Sequence, residues 1–140
     1  MRPINPSMTL SAFEKVGFPE FGINKITAKI DTGAYTGALH CTKIIERQTD
    51  EGLILEFSPF DHPEITVREE NFIVKHVKSS NGEKESRYFI KTKIEISGKT
   101  YSILLSLADR SEMKWPVLIG RKFLRRHNFI VDVSGRKALS

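Results

Sequence analysis

Cysteine is nearly missing: Cys41 is the only one in 140 residues. An intrachain disulfide is thereby excluded, and so is a cysteine-rich zinc site. Long apolar runs are missing as well, because nowhere do about 18 consecutive apolar residues occur, the length a membrane-spanning helix needs. The opening stretch, MRPINPSMTLSAFEKVGF, holds no apolar run suited to a signal peptide. The chain is therefore expected to be soluble and cytoplasmic, with no membrane partner. His40, His62, His76 and His127 are scattered, and neither H-E-x-x-H nor its inverse occurs, so no metal ligands are assigned. A phosphate-cradling G-x-x-x-x-G-K-[ST] segment and a G-x-S-x-G nucleophile elbow are missing too, and no cofactor is expected. There is no internal repeat, low-complexity tract or linker.

What is present fits one globular domain with room for a core. The net charge of +5 and pI near 9.4 favour encounter with an acidic partner. The densest basic run is GRKFLRRHN, residues 120 to 128, where Phe123 and Leu124 mark the apolar side of a short amphipathic helix. No nucleic-acid motif surrounds it, so a solvated helix face is expected and no nucleic-acid partner.

Elsewhere the dominant period is two. In INKITAKID, Ile26, Ala28 and Ile30 alternate with Lys25, Thr27 and Lys29, the pattern of a strand with one buried face. GLILEF and NFIVKHV continue the strand-rich character. In KTKIEISGKTYSILLSL the Ser97-Gly98-Lys99 stretch separates two β-prone runs and predicts a hairpin. Asn81-Gly82 predicts a second turn, and the SSNG segment, Ser79, Ser80, Asn81 and Gly82, is either a surface loop or a flap over bound ligand. Only residues 120 to 127 read as helical, so the expected fold is mostly β: a small closed barrel with one short C-terminal helix.

One acid has an unusual setting. Asp31, in KIDTGAYTGALH, directly follows an alternating strand and precedes Thr32, Gly33 and Ala34. Gly33 tolerates strained geometry, and the Thr32 hydroxyl can hold the loop, so the carboxylate of Asp31 can project from a rigid turn. Cys41 is expected as a small buried hydrophobe. His40 and Cys41, adjacent on a strand, point to opposite faces and cannot readily share a metal ion.

Downstream, WPVLIGRKFL presents the apolar run Val117-Leu118-Ile119 closed by Gly120. This resembles the second half of the aspartic-peptidase core, where such a segment packs beside the strand that ends in Asp-Thr-Gly. More closely, KIDTGAYTGALH, SRYFIKT, LADRSEMKWPVLIGRKFL and FIVDVSG together resemble the prokaryotic retropepsin-like aspartic peptidase family historically labelled an ATP-dependent zinc protease. The resemblance runs from about Val16 to Val133. It implies a retropepsin-like acid-protease barrel spanning residues 1–140 as a single domain, with 1–12 as an N-terminal extension. It also implies a catalytic Asp31 in an active-site loop with Thr32, Gly33 and Ala34. Arg110 and Arg121 fall in the family's recurrent motifs, as substrate-binding or loop-bracing residues. Where that family commonly has Arg-Thr-Ser-Ala-Leu-His, this chain has Tyr35-Thr36-Gly37-Ala38-Leu39-His40.

An aspartic mechanism needs two carboxylates close enough to share a proton. The chain supplies one Asp-Thr-Gly, and Asp132 in FIVDVSG reads as a structural carboxylate of the last strand. A second Asp31 must then come from another copy across a two-fold homodimer. The expected function is thus an aspartic endopeptidase, a protease hydrolysing peptide bonds through a water held by paired Asp31 residues. Its partner would be a peptide or protein substrate, and the family's association with glutamate ligases points to an acidic or glutamylated one. Two alternatives stand beside it: a non-catalytic peptide-binding or regulatory module, and a zinc-dependent peptidase.

Overall fold

Alternation of apolar and polar side chains shapes several strands of the molecule, whose computed structural model describes residues 8–78, 81–109 and 114–134, with backbone alone at 77 and 78. Six strands close into a ring. β2 (Phe13–Phe18) turns through a single 3₁₀ turn, Pro19–Phe21, into β3 (Ile23–Ile30). β4 (Gly37–Thr49), β8 (Lys84–Ile96), β9 (Lys99–Ala108) and β10 (Val117–Ile119) complete the set. The order is β10-β3-β2-β8-β9-β4, and β4 pairs back to β10 antiparallel through Val117 opposite Leu39. Closure removes the free edges that an open sheet of this size would expose.

The period-two pattern decides which faces point inward. Along β8, Ile90, Thr92, Ile94 and Ile96 are buried while Lys91, Lys93 and Glu95 face water. Ile103, Leu105 and Leu107 of β9 do the same on the neighbouring strand. With Val16, Ile30, Leu39, Val117 and Ile119 they fill the barrel. β4 extends past the ring and carries β5 (Gly52–Pro59) and β6 (Val67–Glu69) as an outer layer, while β7 (Phe72–Lys78) pairs with β8. Between β1 (Thr9–Ser11) and β11 (Ile130–Asp132) a parallel pair ties together the two ends of the described chain. One short helix, α1 (Arg121–Arg126), follows β10 and seals the barrel with Phe123 and Leu124.

The expected mostly β barrel with one short helix is what the chain forms, and two turns differ in detail. The β8–β9 loop has two residues rather than three, because Lys99 already pairs with Ile96. Ser97 and Gly98 both take positive φ, 51° and 79°, as a tight hairpin matching strand twist requires. At the β7–β8 turn Gly82 has positive φ, at 87°, and Asn81 does not, although Asn-Gly can supply both angles of a tight hairpin. Ser79 and Ser80 lie outside the described residues.

Candidate functional site

Asp31 sits where β3 ends against β10. The two strands run parallel, with Ile30 opposite Ile119, and the Asp31 N–H donates to the Ile119 carbonyl at 2.8 Å. The chain then turns sharply. Gly33 N–H donates to Asp31 Oδ1 at 3.0 Å, and Ala34 N–H donates to the Asp31 carbonyl at 3.2 Å. An aspartate whose side chain caps its own turn in this way is fixed in orientation.

The start of α1 clamps the same turn from outside. Arg121 N–H donates to the Ala34 carbonyl at 2.8 Å, and Lys122 N–H donates to the Tyr35 carbonyl at 3.1 Å. The Arg121 side chain adds a bond from Nη1 to the Gly33 carbonyl at 3.1 Å, and its guanidinium lies 5.3 Å from the centre of the Tyr35 ring. This backbone approach explains the glycine in VLIG: a Cβ on Gly120 would stand 2.5 Å from the Tyr35 carbonyl oxygen. Gly37 is as tightly held, since a Cβ there would stand 2.1 Å from the Leu118 oxygen. Thr32, expected to hold the loop, is exposed and makes no side-chain hydrogen bond among the described residues. Arg121 does the bracing instead.

Three cavities surround this turn. Thr32 lines a shallow one of about 510 Å³ with Arg121 and Arg125. Thr36 forms the wall between the other two. One, of about 370 Å³, mixes charges of both signs, with Glu85, Arg87 and Asp109 beside Ser86 and Ser106. The other, of about 270 Å³, has an apolar floor and a rim of Lys91, Lys122 and Arg126. Arg126 lies in the basic run 120 to 128 and Arg87, Lys91 and Asp109 in the quoted motifs, but the sequence assigned none of them a place in a site. The i, i+4 spacing of Lys122 and Arg126, which places both on one face of a helix, was the one available signal.

The remaining sequence candidates are dispersed. Arg110 lies outside the described residues. Asn81 and Gly82 form a turn in which Asn81 Oδ1 accepts the Glu83 N–H at 3.2 Å. Cys41 is fully buried, and burial, helped by the Asp109 charge, pushes its thiol up to about 12, far from a nucleophile's range. His40 Nε2 meets Asp61 Oδ1 at 3.2 Å, while its Nδ1 is buried without a hydrogen-bond partner among the described residues. Asp132 accepts both the N–H and the hydroxyl of Ser134, which hold its carboxyl below the usual range. Among the described residues no group of three or more His, Cys, Asp or Glu is arranged to hold a metal ion. No described helix is long and apolar enough to cross a membrane.

Residues 10–139 match the RimB-like family, described as "Retropepsin-like aspartic endopeptidase RimB". A "Probable alpha-L-glutamate ligase" of Shewanella pealeana is 31% identical over 122 residues, covering 84% of this chain and 27% of that protein. A protein of the same name from Desulfotalea psychrophila is 32% identical over 131 residues, 90% of this chain and 28% of its own length. The chain thus spans about a quarter of the curated relatives it matches. The crystal structure of Lpg0085, a Legionella pneumophila protein of unknown function, superposes with a TM-score of 0.73 at 23% identity, over 92% of this chain and 95% of that one. That likeness shows the fold.

The family description speaks of hydrolysis and the relatives' name of ligation. The relatives correct what the motif resemblance implied about activity: the proteins matched over most of this chain are named for bond formation on glutamate, not for peptide cleavage. The expectations of a protease acting through an Asp31 pair, of a peptide or protein substrate and of an obligate homodimer are withdrawn on that finding.

Proposed function

The chain belongs to the RimB-like family, and from that premise we propose that it is a glutamate-handling domain serving alpha-L-glutamate ligation. It holds the free L-glutamate that such a ligase joins. The observation that carries this assignment is the match of 84% of the chain, at 31% identity, to a protein named for that activity.

The mixed-charge cavity beside the Asp31 turn supports it. Free L-glutamate is a zwitterion with an additional carboxylate, so its site needs a cation for an acid group and an acid for the ammonium. Arg87 supplies a planar fork of donors for a carboxylate, while Glu85 and Asp109 line the same cavity and take the ammonium. The volume, about 370 Å³, accommodates one amino acid with bridging water. Asp31, Thr32, Gly33 and Ala34, braced by Arg121, act as the positioning turn that sets the Thr36 wall. A retropepsin-like form of the barrel, a single domain and a cytoplasmic setting belong to the same proposal.

Titration calorimetry of the purified chain with L-glutamate tests it. Saturable binding is expected, weakened at least tenfold by Arg87→Gln in a protein whose circular dichroism is unchanged. Either no saturable binding up to millimolar glutamate, or release of glutamate from a glutamylated peptide by the chain alone, overturns it.

A further inference from the structure

The cavity on the other side of Thr36 has a different chemistry, and nothing assigned above uses it. Its floor is apolar: Leu104 of β9 lies half-buried, Ile73 of β7 is exposed, and Phe123 of α1 lines the same cavity. Its rim is cationic. Lys91 rises from β8, opposite Leu104 of β9, while Lys122 and Arg126 come from one face of α1. Arg121 and Arg125, the other basic pair of that helix, line the separate cavity beside Thr32.

Among the described residues no acidic side chain lines this pocket. Lys91, Lys122 and Arg126 also make no ion pair among the described residues, whose carboxylate pairs involve Arg47, Arg68, His40 and His62. Three like charges converging over a low-dielectric floor repel one another and focus a positive potential into the cavity. An anion seated there relieves that repulsion, and apolar surface on the same ligand covers a floor otherwise open to water. An isolated inorganic ion satisfies the rim alone, and a neutral hydrocarbon satisfies the floor alone.

We propose that this pocket is a binding site for a small amphiphilic anion, its apolar body seated on Ile73, Leu104 and Phe123 and its acid head held by Lys91, Lys122 and Arg126. The volume of about 270 Å³ limits the body to a short alkyl chain or one ring. Tyr35, whose ring lies 5.9 Å from the Lys122 ammonium, forms the lip. The site does not depend on glutamate binding in the neighbouring cavity.

Methyl-detected NMR titration of the full chain with hexanoate, phenyl phosphate, hexylammonium and inorganic phosphate tests it. Hexanoate and phenyl phosphate are expected to saturate with shifts at Ile73 and Leu104, and the tighter of the two identifies the head group. Hexylammonium and inorganic phosphate should bind at least tenfold more weakly. The exposed double variant Lys122→Gln/Arg126→Gln should weaken the anions at least tenfold, and Lys122→Arg/Arg126→Lys should restore them. Equal binding of hexylammonium overturns the charge assignment, and equal binding of inorganic phosphate overturns the role of the apolar floor. Shifts confined to other methyl groups, or no saturation by either amphiphilic anion, overturn the site itself.

Discussion

At the scale of single residues, the candidate site is an arrangement of backbone around two missing side chains. Gly120 lets the start of α1 approach the Asp31 turn closely enough for Arg121 and Lys122 to donate into the Ala34 and Tyr35 carbonyls. A methyl group at Gly120 would stand 2.5 Å from the Tyr35 oxygen and 2.9 Å from the Ala34 oxygen. Both are backbone atoms and cannot rotate away, so the helix and the turn must separate. Gly120→Ala is expected to cost about 1–3 kcal/mol, the usual range for overpacking a close contact. Urea denaturation measures it, and a midpoint equal to wild type would mean that the turn and the helix start are not held together as described. Asp31 itself was easy to pick out, because an acid directly after an alternating strand breaks the pattern that precedes it. Its clamp was less so: nothing in the spacing distinguishes Arg121, which grips the Gly33 carbonyl, from Arg125 one helical turn later.

Among the elements, the β8–β9 hairpin is the best specified by local sequence and organises the largest part of the barrel wall. Its nine-residue register, from Tyr88 opposite Leu107 to Ile96 opposite Lys99, places Ile90, Ile94 and Ile96 on the inner face together. A slip by one residue would turn all of them outward. The turn that sets this register puts Ser97, a residue with a Cβ, at φ 51°. Asparagine occupies that left-handed region more readily than serine, and Asn-Gly is the preferred pair for such a two-residue loop. Ser97→Asn is expected to stabilise the protein by a few tenths of a kcal/mol, read as a raised melting temperature. A lowered one would show that the turn is not of this type. Alternation made this hairpin legible. The long β4 was less so, since its buried stretch Leu39-His40-Cys41 has no period of two. Both His40 and Cys41 are buried although they are adjacent on the strand, so neither face of β4 is open to water there.

For the molecule as a whole, what was legible is what repeats locally. The barrel, the short helix and the pairing of the Asp31 strand with Val117-Leu118-Ile119 followed from periodicity and from motif order. The cavities did not, because Lys91 and Lys122 meet only once β8 and α1 have been folded against each other. Activity was not legible either: an Asp-Thr-Gly turn describes a way of holding one carboxylate, and the chemistry depends on what is brought to it. Long-range assembly also decides the response to acid. Glu56 is buried in the outer layer, hydrogen-bonded to Arg47 across β4–β5 and to Arg68 Nε of β6 at 2.8 Å. The Arg47 bond, reinforced by the charges of both arginines, holds its carboxyl below the ordinary value of 4.5. A group whose folded form takes up its proton at lower pH than its unfolded form contributes stability above the unfolded value, and loses it as pH falls through the folded one. Asp132 acts in the same sense through Ser134, whereas burial raises Glu69, whose contribution is present at low pH and lost as pH rises. With Glu56 the most enclosed of the three, the urea midpoint is expected to fall as pH drops below about 4.5, the ordinary glutamate range. Glu56→Gln keeps the side chain's size but cannot titrate. It should lower stability at neutral pH by leaving Arg47 and Arg68 without their carboxylate, and it should flatten the acid decline. An unchanged slope in the variant would assign the acid response elsewhere.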